Sequence, residues 1–178
     1  PWLDLRSRII PNFVGILETG LQHDDYRFRR AAYLRVGSVS GGAPFNDALD
    51  LQIVAHGMPL VANHSHRDYV NPHDASPQIH NVVQIEQRAE LATVPSWVET
   101  LSDADGARFL SARSVLQDED VTLYQRQIAL IDVDEGRGSQ PLPAERQLPH
   151  SVLPRGVATA NSYVFDVFRV EGGRMHTY

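Results

Sequence analysis

Residues 108–133 read RFLSARSVLQDEDVTLYQRQIALIDV, and this stretch decides the fold. It parses as two strands, 108–116 and 121–133, around the turn Gln117-Asp118-Glu119-Asp120. The periodicity along the stretch is mostly two, as strands require. Tyr124 and Arg126 lie two apart on it, which puts both on one face of the strand.

The same period of two recurs outward in both directions. Ala32, Leu34 and Val36 share a parity with Phe28. Leu49, Leu51, Ile53 and Ala55 make one strongly apolar face, alternating with Ala48, Asp50, Gln52 and Val54. Val82, Val83 and Ile85 follow His80, and Tyr163, Phe165, Val167, Phe168 and Val170 form a last strand ended by Gly172-Gly173. The best helical candidates are short, at residues 2–9 and 95–101. Many short strands with Gly/Pro-rich connections predict an antiparallel β-sandwich with few short helices. Residues 36–44, 63–77 and 134–159 read as loops, the last longer than an ordinary connection.

The chain has 178 residues, 12 Gly and 11 Pro, and reads as one domain without an internal boundary. No apolar run approaches the roughly 20 residues of a membrane-spanning helix, and no signal peptide is visible. The first residue is Pro1, so a slice of a longer protein is expected. Cysteine is absent, which removes disulfides, thiolate metal sites and a Cys nucleophile. The net charge of −6 and the lack of a basic stripe disfavour nucleic acid as a partner. All 16 basic residues are Arg, a residue suited to forked recognition of carboxylate or sulfate, although a GC-rich coding bias is the simpler explanation.

Four groups of residues carry potential chemistry. His56, Asn63, His64, His66, Asp68, His73, Asp74 and His80 fall in one region, and His64 and His66 would share a face if extended. A borderline metal such as zinc takes such ligands, but the spacing matches no closed site and a solvated loop explains it as well. His80-Asn81 opens an apolar strand, where a His serves as ligand, as acid or base, or as a structural group bonded to loop backbone. Tyr124 and Arg126 either bind an acidic sugar or form a cross-strand pair. Asp166 and Arg169 read as a turn-associated ion pair. No Gly-rich phosphate loop and no Gly-x-Ser-x-Gly elbow occurs.

Taken in order, NFVGILETG (12–20), AAYLRVGSVSGG (31–42), DALDLQIVAHGMPLV (47–61), HNVVQIEQ (80–87), LYQRQIALIDVDE (123–135) and SYVFDVFRVEGGRMHTY (162–178) resemble the β-sheet domain of the heparinase II/III-like polysaccharide lyases. The resemblance covers nearly the whole chain. It implies a β-sandwich of the polysaccharide-lyase type, an α/α-toroid domain upstream, a periplasmic or secreted location, and β-elimination on uronate-containing acidic polysaccharides. In the family's His-x-His-x-Asp segment this chain has Ala43 at the catalytic His, Phe45 at the first metal ligand and Asp47 at the matching terminal Asp. Asn63 stands at the acidic ligand, and His80 survives. One imidazole does not hold zinc, so no cofactor is expected unless His64 or His66 substitutes. The residues carried over are His80 and Tyr124 as catalytic candidates, with Arg126, Asn81 and Asp47 binding substrate. The alternative is a degenerate, non-catalytic module that binds acidic glycan or supports a partner domain.

Overall fold

The computed structural model describes residues 6–20, 29–37, 48–55, 58–61, 80–86, 95–114, 120–133 and 161–178. These residues form an all-β, antiparallel structure with no helix among them. A five-stranded sheet runs in chain order through β1 (Arg8–Ile10), β2 (Val14–Thr19), β3 (Arg30–Arg35), β4 (Leu51–Ala55) and β5 (Met58–Val61). A four-stranded sheet is ordered β10-β9-β8-β7, from β7 (Ser96–Ala104), β8 (Ala107–Ser114), β9 (Val121–Val133) and β10 (Asn161–Gly172). The short β6 (Gln84–Ile85) pairs with β11 (His176–Thr177).

The alternation that marks 121–133 as a strand also sets which face is buried. Tyr124, Arg126, Ile128 and Leu130 point inward, while Leu123, Gln125, Gln127 and Ala129 point out. Register carries that division across the sheet: Leu110 and Ala112 of β8 share the inner face, as do Val164, Phe168 and Val170 of β10. Against them pack Leu17, Ala32, Leu34, Leu51 and Ile53 from the other sheet. Two sheets facing each other over one apolar core make the sandwich. Burying such side chains is worth roughly 1.5–3 kcal/mol each against exposure.

Two glycines sit where segments approach each other closely. A Cβ on Gly15 would run into the Leu110 side chain, so β2 lies directly on β8 only because position 15 lacks one. Gly37 (φ 109°) donates its N–H to the Ser96 carbonyl at 2.7 Å, stitching the end of the β3 segment to the start of β7.

Two expected helices are corrected. All but Pro95 of residues 95–101 lie in β7, which pairs with β8 from Ser96 opposite Ser114 to Ala104 opposite Ala107. A bulge between Val98 and Thr100 breaks the period of two there, and that irregularity gives the sequence its helix-like spacing. The end of 2–9 likewise belongs to β1, and residues 2–5 lie outside the described residues. The loop expected at 134–159 and most of those at 36–44 and 63–77 lie outside them as well.

Candidate functional site

Arg126 organises the most elaborate polar cluster among the described residues. Its place on the inner face of β9 leaves it 0% exposed, so each of its donors needs an acceptor inside the fold. Nε and Nη2 donate to the two carboxylate oxygens of Asp166 at 2.8 and 2.6 Å. Nη1 donates to the Leu49 carbonyl at 2.9 Å and to the Asn81 carbonyl, and Nη2 also reaches Asn81 Oδ1 and the Tyr178 hydroxyl. The guanidinium stacks over the Phe168 ring at 5.2 Å, and Tyr124 meets the same ring edge-on at 4.9 Å.

The surrounding backbone is shaped to serve it. Leu49 adopts a left-handed conformation (φ 64°), costly for a non-glycine residue by roughly 1–2 kcal/mol. That turn sits between the Leu49 N–H bonded to the Arg35 carbonyl and the Leu49 carbonyl accepting from Arg126. Asp50, also buried, accepts the Asn81 N–H on Oδ1 at 2.8 Å. The turn at 80–82 is closed by the Val82 N–H on the His80 carbonyl, and the Tyr124 hydroxyl donates to the Val83 carbonyl at 2.7 Å. Burial raises the Tyr124 phenol well above its usual range, with the Arg126 cation opposing the shift.

His80, Asn81, Tyr124 and Arg126, singled out separately in the sequence, therefore converge on one spot. Tyr124 (1% exposed) and Arg126 do not face a cleft; both are engaged inside the sandwich. His80 is buried as well, and Asn81 is half-buried. The groups reaching the surface here are Asn81, the partly exposed Asp166 carboxylate and Tyr178, whose hydroxyl donates to Asn81 Oδ1 at 2.6 Å. This rim can offer amide, carboxylate and phenol groups to a hydroxyl-rich ligand.

Asp166 and Arg169 are not the ion pair expected. They lie on opposite faces of β10, Asp166 inward toward Arg126 and Arg169 outward beside Gln125. The signal was in the sequence: Asp166 is the lone charge on the parity of Val164, Phe168 and Val170, as Arg126 is among Tyr124, Ile128 and Leu130. Tyr178, Leu49 and Asp50 carried no comparable signal, because their placement depends on long-range docking.

Asp47, Ala43, Phe45, Asn63, His64 and His66 lie outside the described residues. Among the described residues no group of three or more metal-ligating side chains gathers. Of the ligand positions named from the sequence, only His80 falls among the described residues.

A second polar cluster joins the sheets near the β7–β8 turn. Asp132 accepts from Thr19 of the facing sheet at 2.9 Å, Ser162 at 2.9 Å and Arg108 at 2.7 Å, with Arg30 at 3.6 Å. Burial alone would raise the Asp132 carboxyl, but the hydrogen bonds from Arg108, Ser162 and Thr19 outweigh it and hold the group below its ordinary value. Burial lowers the Arg30 guanidinium, opposed by Asp132.

No protein-family model and no curated protein matches the sequence. Among solved structures the chain is similar to heparinase III (the BT4657 gene product), with a TM-score of 0.58 and 11% identity over 74% of this chain and 22% of that one. A second structure of heparinase III, with methylated lysines, gives a TM-score of 0.55 at 10% identity over 72% of this chain and 20% of that one. At that identity the likeness establishes a shared fold. The chain spans about a fifth of the length of these structures.

Proposed function

We propose that this chain is the β-sandwich domain of a polysaccharide lyase acting by β-elimination on uronate-containing acidic polysaccharides. The observation that carries the reading is the fold shared with heparinase III, over three quarters of the chain. β-Elimination needs the uronate carboxylate neutralised, a base for the adjacent carbon-bound proton, and an acid for the departing glycosidic oxygen. In this reading an α/α-toroid domain of the same polypeptide supplies most of that chemistry, and the sandwich walls the cleft, in the periplasm or outside the cell. Asn81 contacts the sugar from the rim, with His80 behind it. Tyr124 and Arg126 act one layer back as positioning residues: Arg126 binds both oxygens of Asn81.

The burial of Tyr124 and Arg126 favours a second reading, a non-catalytic module that binds acidic glycan. One experiment separates them. The full polypeptide containing this chain is incubated with heparan sulfate and with alginate, and the ultraviolet absorbance of unsaturated uronate product is followed. Product from the full polypeptide, and none from the 178-residue chain alone, supports the lyase domain. Binding without product from the full polypeptide selects the module.

A further inference from the structure

The outer face of the four-stranded sheet carries a row of side chains that the Arg126 cluster does not use. Trp97 of β7 lies directly opposite Arg113 of β8, Arg113 opposite Gln125 of β9, and Gln125 opposite Arg169 of β10. The row crosses all four strands, and at about 4.8 Å per strand it spans roughly 14 Å. Trp97 is 42% exposed, on the end strand of the sheet. It lines a cavity of about 140 Å³ with Arg113, Thr122 and Leu123, room for one sugar ring or one anionic substituent.

The charges on this row are available. Among the described residues Arg113 makes one hydrogen bond, from Nη2 to the Thr122 carbonyl at 2.9 Å, and neither Arg113 nor Arg169 has a carboxylate in ion-pair range. The acidic neighbours are Glu99 and Glu171. Glu99 Oε2 already accepts from Ser111 at 3.0 Å and from Gln125 at 2.6 Å, and Glu171 lies exposed beyond Arg169 on β10. A guanidinium is suited to a planar or tetrahedral oxyanion, and an indole face to an apolar ring surface. Ring face and oxyanion occur together in an anionic sugar.

We propose that Trp97, Arg113 and Arg169 form a binding track for an anionic saccharide chain laid across the strands, with one ring stacked on Trp97 and its carboxylate or sulfate held by Arg113. The track is on the face opposite Arg126 and Asn81, so it stands independently of the lyase reading. Single-stranded nucleic acid also combines rings with anions, so an oligonucleotide is one arm of the test.

The chain has two tryptophans, so Trp2→Phe leaves Trp97 as the sole indole reporter. That variant is titrated with a sulfated heparin tetrasaccharide, with cellotetraose and with a single-stranded oligothymidylate. The expected result is a saturable change in Trp97 emission with the sulfated tetrasaccharide only, weakened at least tenfold by Arg113→Ala and again by adding Arg169→Ala. Trp97 emission reports only the outer face of the four-stranded sheet, whereas the lyase reading is tested by product from the full polypeptide, so the two can fail separately. Thermal midpoints verify folding, and Arg113→Gln replaces Arg113→Ala if the latter unfolds. No saturable change, equal affinity in the Arg113 variants, or equal response to cellotetraose or the oligonucleotide overturns the proposal.

Discussion

Arg126 and Asp166 meet fork to fork across adjacent strands, Nε on Oδ1 and Nη2 on Oδ2, with the guanidinium wholly enclosed and the carboxylate partly open to water. The pair is diagonal rather than directly opposed: Arg126 faces Phe168 in register, and Asp166 faces Ile128. That offset lets the ring cover the cation while the carboxylate neutralises it.

Removing the carboxylate should therefore strand a buried cation. Asp166→Asn is expected to lower unfolding free energy by about 3 kcal/mol, at the low end for breaking a buried pair because water reaches Asp166. Urea unfolding with an unchanged slope checks this. A loss below about 1 kcal/mol would mean that solvent already does the neutralising.

Tyr124→Phe removes the donor from the Val83 carbonyl and leaves a shielded acceptor unpaired, an expected cost of about 1–2 kcal/mol. The alkaline limb of stability should also change. The phenol is raised in the fold above its unfolded value of 10.0, so its contribution is intact below that pH and falls away above it. Ultraviolet difference titration should find Tyr124 still protonated above its unfolded value of 10.0. A steep alkaline loss persisting undiminished in Tyr124→Phe would refute this origin.

Acid stability should depend on Asp132. Its carboxyl is held below the unfolded value of 3.8, so the stabilisation is complete above that pH and is lost as pH falls through the lower folded value. Asp132→Asn should flatten the acid limb of a thermal-midpoint profile and reduce the neutral plateau. A parallel profile, shifted but equally steep in acid, would assign the acid loss to other carboxylates.

Gly37→Ala should be among the most damaging single-methyl additions. The backbone there is left-handed, and the added Cβ would fall on the backbone of Asn12. A loss above about 2 kcal/mol is expected from strain and overpacking together. Gly106→Ala is the control: it also has positive φ (79°) but open space around it, so it should report conformational strain alone. Equal losses in the two would show that the Asn12 contact yields freely.

How much of this was legible depended on regularity. β9 keeps its alternation from Tyr124 to Leu130, so its existence as a strand could be read directly. β7 could not, because its bulge shifts the pattern by one residue and Pro95 sits where a helix would begin. The candidate site was legible by residue but not by role. His80, Asn81, Tyr124 and Arg126 were all marked, yet only the facing sheet determines that the even parity of β9 is the inside. Once it is, a Tyr and an Arg must be satisfied internally, and the acceptors come from Leu49, Asn81 and Asp166, positions no local pattern links.

Those acceptors are distributed widely along the polypeptide. Arg126 bonds residues 77, 45, 40 and 52 positions away, at Leu49, Asn81, Asp166 and Tyr178. None of these closures is local, so the guanidinium must stay hydrated until several long loops have already closed. During synthesis it cannot complete its coordination until Asp166 and Tyr178 have left the ribosome. Its full set of partners is therefore complete only once segments from both sides of β9 along the chain have docked.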